Sequence, residues 1–467
     1  MNRTSYLTRI SYAAPDIGGQ LVFTFIISGY LSKFFTDVYG LSAVTCGTIL
    51  AVARWIDAID APVWGVIFDK TNSRWGKSRP WFLWLCVPFA AFGVLTYQTP
   101  NLSYDAKVWY AAITYIGCCV LYTGINTPVT SILSALTDNP QERVTLTCFR
   151  MVGSKLGALA VNATALPAVK WLGHGDDRRG YMLTLPIFAA LSIVFFLISF
   201  WNLKETIPVK KKEREPLLTS FRALYGNWPW LIIFCSSFLF WIGFISRVSM
   251  VSYYFQYRLH REDLTALAYM MDVVSLGTAL GMPWFCKWTS KRNVWAVGLL
   301  GMVAGQVILY FGAHQLSGSE FNLHYWFGKS VAMPTYLFAG WFVGFLFSGM
   351  AMAMPFSILS DSVDYGEWKT GVRAAGLLAA VGAAFCLKAG AGLGGAIPLW
   401  IMGHCGYVPN VDQTPTSLQG IEFSFIWLPA ICLFLSVIPV LFYQRFEKIE
   451  PQIHADLNRR REEAAQA

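Results

Sequence analysis

Three charged residues share one apolar stretch, Ala53-Arg54-Trp55-Ile56-Asp57-Ala58-Ile59-Asp60-Ala61-Pro62. The spacing of three between Arg54, Asp57 and Asp60 places them on one side of a helix. Two carboxylates on one face can bind Na⁺ through oxygen ligands or share a proton. An ion pair between Arg54 and Asp57 is the competing reading, and pairing and transport can coexist. More polar residues interrupt other apolar runs: Asp16 and Gln20, then Tyr122, Thr123 and Asn126, then Arg150 and Lys155, then Arg247 and Lys388. An ionisable group in a bilayer core costs about 3 kcal/mol or more unless it faces the protein interior and finds a partner. These residues are therefore the candidates for chemistry. Lys388 follows a charge-free run from Ala374 and precedes Ala389-Gly390-Ala391-Gly392, so it needs an internal anionic partner, with Asp57 or Asp60 the candidates. Lys33, near the end of its run, is expected to snorkel.

The elements that position them are membrane spans. Of 467 residues, 55% are hydrophobic, 16% aromatic and only 13% charged. A soluble domain needs roughly a quarter charged. Spans of about 20 mainly apolar residues are expected at 14–36, 41–67, 81–98, 108–133, 150–172, 181–202, 228–254, 264–285, 294–313, 335–358, 374–402 and 423–442. The first run leads into eleven more, so no cleavable leader is expected. The net charge of +9 does not indicate nucleic acid, because the basic residues lie in short segments between the runs. With the N-terminus inside, the cytoplasmic segments hold 23 of the 36 Lys+Arg and the outer loops 6. Both termini are thus expected in the cytoplasm of a bacterial inner membrane.

The basic loop 203–227, with Lys210, Lys211, Lys212 and Arg214, separates two six-span halves. Its end, Pro216 to Tyr225, could form a short surface helix. The expected organisation is an N-terminal bundle 1–202, a linker 203–227, a C-terminal bundle 228–445 and a cytoplasmic tail 446–467. Two pseudo-symmetric six-helix bundles, twelve helices in an all-α membrane protein, are the major facilitator architecture. The segment Asp69-Lys70, Arg74, Lys77 is faintly echoed by Lys287, Lys291-Arg292. The ten cysteines form no C-x-x-C pair and read as small buried residues. No histidine cluster, nucleophile–base pattern or phosphate loop points to an enzyme. No cofactor is expected beyond a coupling ion.

Two motifs carry a resemblance. One runs from Ala53 to Pro62, then Asp69, then Ser73-Arg74-Trp75-Gly76-Lys77-Ser78-Arg79-Pro80-Trp81. The other is Asp361-Ser362-Val363-Asp364-Tyr365-Gly366-Glu367-Trp368 with Gly371 and Arg373. Thr36-Asp37-Val38, Tyr122-Thr123 with Asn126 and Pro128, and Gly406-Tyr407 fit as well. Together they resemble the glycoside–pentoside–hexuronide:cation symporter family of melibiose permease-like transporters, over about 10 to 445. The resemblance implies sugar uptake driven by Na⁺, Li⁺ or H⁺ with alternating access. It makes Asp57 a cation-site carboxylate, hence the candidate Na⁺ ligand, with Thr123 beside it and Asp60 in reach. It makes Arg150 and Lys388 organisers of the sugar and cation sites. It implies a cytoplasmic gate from Asp69, Arg74, Asp361, Asp364, Tyr365, Glu367 and Arg373.

This sequence departs from the family's pattern. The carboxylate that usually precedes the proline is replaced by Ala61, and Asp60 stands one position earlier, about 100° around the helix. Sugar-holding aspartates of the first and fourth spans correspond to Gln20 and Asn126, while Asp16 matches an aspartate of other members. Tyr122 can stack on a sugar ring. With Arg150, Arg247 and Lys388 in reach, cations outnumber carboxylates unless Asp16, Asp57 and Asp60 all face the site. That tilts expectation toward an acidic glycoside, against a default of neutral sugars. Arg247 reads equally as a structural residue. A lipid carrier on the same fold is the alternative. A monomer binding a small sugar, embedded in lipid and without nucleic acid, is expected.

Overall fold

Backbone groups in lipid must be satisfied within the chain, and long helices do this locally. The structure, a computed structural model, describes the chain except residues 1–4, 28, 72, 138, 206–225, 316–319, 326–328, 372–377, 379–381, 383–384 and 467. Helix α1 is Tyr6–Ile27 and is followed by a short helix Gly29–Lys33 and a π-helical turn Phe34–Val38. Then come α2 Ala43–Lys70, α3 Arg79–Thr96, α4 Tyr104–Leu136, α5 Pro140–Gly173 and α6 Asp177–Asn202. Helix α7, Trp228–Tyr253, ends in a π-helical turn Tyr254–Arg258. Helices α8 Leu264–Met270 and α9 Val274–Trp288 are joined by a tight turn Met271–Val273. They are followed by α10 Lys291–Gln315, α11 Thr335–Thr370, α12 Cys386–His404, α13 Pro415–Glu422, α14 Leu428–Phe442 and α15 Gln444–Gln466.

Among the described residues, eleven helical segments are long and apolar enough to span a membrane. Helix α2, 28 residues long, is not among them. It is the helix of Arg54, Asp57 and Asp60, and those charges are what set it apart. It supplies the twelfth expected span. The membrane face is plain on α6: Leu183, Ile187, Leu191 and Val194, spaced by four and three, are exposed. Leu185, Phe188, Ser192 and Phe196 on the other side are buried.

Three expectations shift. Helix α5 starts at Pro140, a residue suited to a first helical position. Arg150 and Lys155 therefore lie well inside the helix rather than opening it. Helix α11 continues past 358 to Thr370, so the stretch Asp361 to Trp368 is helical. It stops at Gly371, whose φ of 73° is left-handed and whose N–H returns to Glu367 O at 2.8 Å. Finally, a hairpin interrupts the helices: β1 Glu320–Tyr325 pairs antiparallel with β2 Lys329–Pro334, Leu323 opposite Val331. Phe321, Leu323 and Tyr325 alternate with polar residues there, the period of a strand.

The chain forms two compact units. The first comprises Met1–Lys211, Val248–Met270 and Leu399–Leu418, and the second Lys212–Arg247, Met271–Pro398 and Gln419–Ala467. In the first, α1 packs on α5 and α6, α2 on α4, α3 on α4 and α6, and α8 on α5. Close approach of α1 and α5 depends on Gly157, where a Cβ would stand 2.9 Å from both Ile17 O and Gln20 Cβ. In the second, α11 packs on α9 and α10, and α10 on α14.

Candidate functional site

Helices α1, α2, α4 and α5 gather the polar residues of the first unit. Asp57 on α2 is buried. Thr123 of α4 donates its hydroxyl to Asp57 Oδ1 at 2.6 Å, and Arg54 Nη1 lies 3.4 Å from Oδ2. The Arg54 guanidinium, also buried, lies over Phe23 (5.3 Å) and Tyr115 (6.0 Å). Phe23 in turn stacks on Tyr122 at 3.8 Å. Both Asp60 carboxylate oxygens are shielded from solvent. Of the two readings of the α2 triad, the ion pair is what the structure contains: Asp57 meets Arg54, and its other oxygen accepts from Thr123.

The second cluster is organised by Arg150 of α5. Its Nε donates to Asp16 Oδ2 at 2.7 Å, its Nη1 to Thr130 Oγ1 at 3.1 Å and its Nη2 to Asn126 Oδ1 at 2.5 Å. Next to it, Gln20 Nε2 donates to Ser154 Oγ at 3.1 Å, and Thr24 Oγ1 donates to Gln20 Oε1 at 3.0 Å. A guanidinium held this way is oriented and its charge is matched by Asp16. Thr24, Thr130 and Ser154 were not singled out from sequence. Each stands four residues after a singled-out residue (Gln20, Asn126, Arg150), and the helical repeat is the signal that finds them.

Other candidates lie elsewhere. Arg247, at the unit-two end of α7, is 0% exposed. It donates Nη2 to Trp341 O at 3.3 Å and lies over Trp341 (4.1 Å) and Phe345 (4.9 Å). A Cβ at Gly344 would collide with its guanidinium. Lys388 is half-buried on α12 in the second unit. Lys155 is half-buried on α5.

The expected gating residues form networks within each unit. Arg74 lies over Trp75 at 4.5 Å. Beside it the backbone N–H groups of Lys77, Ser78 and Arg79 donate to the Glu205 carboxylate at 3.0, 2.6 and 3.1 Å. Glu205 thereby caps the start of α3, where a negative charge is favoured; it too was not singled out from sequence. Asp361 is buried and bound by Lys291 Nζ at 2.7 Å and the Tyr443 hydroxyl at 2.5 Å, and Lys291 also reaches Glu450 at 2.9 Å. Tyr365 packs edge-on against Trp228, and Trp368 Nε1 donates to Asp456 at 3.0 Å. Asp364 and Glu367 are half-buried on α11. Arg373, the side chain of Asp69 and the linker with Lys210, Lys211, Lys212, Arg214 and the Pro216–Tyr225 segment lie outside the described residues.

At the opposite end of α1 the first unit has a further polar cluster. Asp37 accepts from the Tyr407 hydroxyl at 2.6 Å and from the Tyr257 hydroxyl at 2.8 Å, and its carbonyl accepts from Asn410 Nδ2 at 2.8 Å. Glu262 is paired with Lys33 and, at 2.9 Å, with Lys170. Burial pushes the Glu262 carboxyl up, but Lys33 and then Lys170 outweigh it and bring it down to about 2. A depressed carboxylate contributes stability above its unfolded pKa and loses it as pH falls through about 4.5 toward 2. The pair is therefore intact across the physiological range.

Known proteins resemble this chain in sequence and in fold. Residues 11–445 match the model of the family described as MFS/sugar transport protein. The chain is 40% identical over 462 residues to the isoprimeverose transporter of Lactiplantibacillus pentosus, covering 98% of this chain and 92% of that one. It is 30% identical to the inner membrane symporter YicJ of Escherichia coli strain K12, covering 92% and 90% respectively. Among solved structures, a bacterial homologue of the human lysosomal transporter Spinster superposes with a TM-score of 0.67 at 13% identity, covering 96% of this chain and 99% of that one. That likeness shows the major facilitator fold alone. Family and relatives together place a multi-pass membrane transporter, not an enzyme, and the chain belongs to the glycoside–pentoside–hexuronide:cation symporter family of sugar transporters.

Proposed function

We propose that this protein imports a neutral glycoside together with H⁺ across a bacterial inner membrane, by alternating access between two six-helix bundles, with both termini cytoplasmic. The Lys/Arg distribution supports the orientation. One observation carries the substrate reading: Arg150 is already bound by Asp16, Thr130 and Asn126. Its charge is balanced by Asp16, so an anionic sugar would have to displace that carboxylate. Gln20, Asn126, Ser154 and Thr24 supply donors and acceptors suited to hydroxyls, and the Tyr122 face suits a sugar ring.

The ion reading rests on Asp57. One oxygen accepts from Thr123 and the other faces Arg54. A metal ion at that second oxygen would compete with the guanidinium, whereas a proton needs only one oxygen. Asp60 is the further carboxylate on the same helix.

The test is accumulation of [¹⁴C]isoprimeverose, the sugar named for the 40% identical relative, in right-side-out vesicles. An imposed inward H⁺ gradient should drive accumulation that a protonophore abolishes, and neutral glycosides should compete better than uronides. A strict Na⁺ requirement would show that another ligand completes a metal site at Asp57. Stronger competition by uronides than by neutral sugars would overturn the charge reading.

A further inference from the structure

We propose that Asp37 is the hub of an outer latch: a gating residue that must release Tyr257, Tyr407 and Asn410 before the sugar site can open to the outside. The proposal rests on the transport reading above for which side is outside and for where the sugar site lies.

The latch joins three segments far apart in sequence, all within the first unit. The first is the π-helical turn Phe34–Val38, the second the π-helical turn Tyr254–Arg258 that ends α7, and the third the loop that follows α12. Asp37 Oδ1 accepts from Tyr407 and Oδ2 from Tyr257. The two tyrosine hydroxyls are 3.0 Å apart, and Asn410 N donates to the Tyr257 hydroxyl at 3.0 Å. Thr36, next to Asp37, shares a 2.8 Å bond with the Tyr253 hydroxyl. Each side-chain oxygen of Asp37 thus accepts from a tyrosine of the C-terminal sequence half, and Oδ1 also accepts from the Thr36 hydroxyl at 2.7 Å. Asn410 holds a left-handed backbone, φ 58°, where Asn is among the few side chains tolerated.

These bonds are of a kind that can be exchanged. They are polar, they reach a cavity of about 420 Å³ lined by Lys33, Asp37, Gln256, Glu262 and Asn410, and water can replace each partner when the segments part. Aromatic packing alone would hold the segments without an ionic centre: Tyr407 already meets Tyr253 and Tyr257 edge-on at 5.7 and 5.4 Å. The carboxylate adds direction and reversibility. Around the same cavity the Lys33–Glu262–Lys170 bridge ties the helix before the first turn to the loop after the second and to α5.

The test uses Ser154→Cys as a reporter at the sugar site, with Cys148, the exposed cysteine of the same helix, replaced by Ser. Sugar is absent, so the result does not depend on substrate identity. Tyr407→Phe keeps the ring and removes the bond to Asp37, and Asn410→Ala removes the bond to its carbonyl. Both should speed labelling by an impermeant maleimide in right-side-out vesicles about fivefold, the shift expected for one lost buried hydrogen bond. Labelling in inside-out vesicles should slow. Asp37→Asn should act in the same direction more strongly. Rates unchanged in all three variants, or raised from both sides as general loosening would do, would overturn the latch. The reverse pattern, faster from the inside-out side, would show that the cluster closes the cytoplasmic face and would overturn the outer assignment.

Discussion

Arginines inside the spans of the two units, Arg54 and Arg247 buried and Arg150 half-buried, are accommodated by different means. In the first unit Arg54 and Arg150 each meet a carboxylate, Asp57 and Asp16. In the second, Arg247 meets one carbonyl and two aromatic faces, and among the described residues its Nε and Nη1 have no hydrogen-bond partner. A carboxylate partner can be protonated, exchanged for another charge or reoriented by a ligand. An aromatic cage fixed by Trp341 and Phe345 offers none of these responses. A charge buried inside a span therefore meets two kinds of partner here, and only the carboxylate kind could answer a proton or a ligand.

The largest effect is expected for Asp57→Asn. The amide keeps the shape and can still accept from Thr123, but it cannot lose or gain a proton. The vesicle accumulation ratio should fall to about one, because coupling to the gradient vanishes when one linked site is lost, while downhill flux and exchange survive. Accumulation unchanged from wild type would remove Asp57 from coupling and reduce the Arg54 pair to a structural bond.

Arg150→Lys comes next. An ammonium cannot reproduce three donors in one plane, so Asp16, Thr130 and Asn126 cannot all be held. Sugar affinity should weaken on the order of tenfold, equivalent to about 1.4 kcal/mol, measured by sugar protection of Ser154→Cys against maleimide. Unaltered protection would mean that Arg150 serves only to hold α1, α4 and α5 together.

Much of this site was legible in the sequence, for a physical reason. Charges and amides inside apolar runs stand out, so Asp16, Asp57, Arg150 and Asn126 could be named, and the structure brings Asp16, Asn126 and Arg150 into direct contact. The spacing in α2 named Arg54 as Asp57's partner. What was not legible were the hydroxyls. Ser154, Thr24 and Thr130 look like ordinary span residues until their neighbours on the helix are known. Glu205 was hidden because its partners are backbone N–H groups, which leave no trace in side-chain types. The Asp37 cluster was visible only as scattered motif residues, since its bonded members are up to 373 positions apart. The helical boundaries of α5 and α11 moved because Pro140 and Gly371 punctuate the chain more strongly than hydropathy does.

The smallest effect is expected at Arg247. Arg247→Met removes a buried guanidinium with two unsatisfied nitrogens and leaves a side chain of similar length among Trp341, Phe345 and Gly344. Replacing an imperfectly satisfied buried charge by an apolar side chain is commonly neutral or stabilising, by about 1–4 kcal/mol. The loss of stacking offsets part of this, since a desolvated cation–π contact is worth about 2 kcal/mol. Thermal stability in detergent should therefore stay close to wild type, and sugar protection of Ser154→Cys should change by less than about twofold, the scale of a site without ligand contact. Arg247→Lys should be worse than Arg247→Met, because the more strongly hydrated ammonium is the costlier ion to bury and stacks less well. If instead Arg247→Met weakens sugar protection about as much as Arg150→Lys while the protein stays folded, Arg247 touches the ligand. The contrast between carboxylate-paired and cage-held arginines would then fail, and the free nitrogens of Arg247 would be donors that the substrate completes.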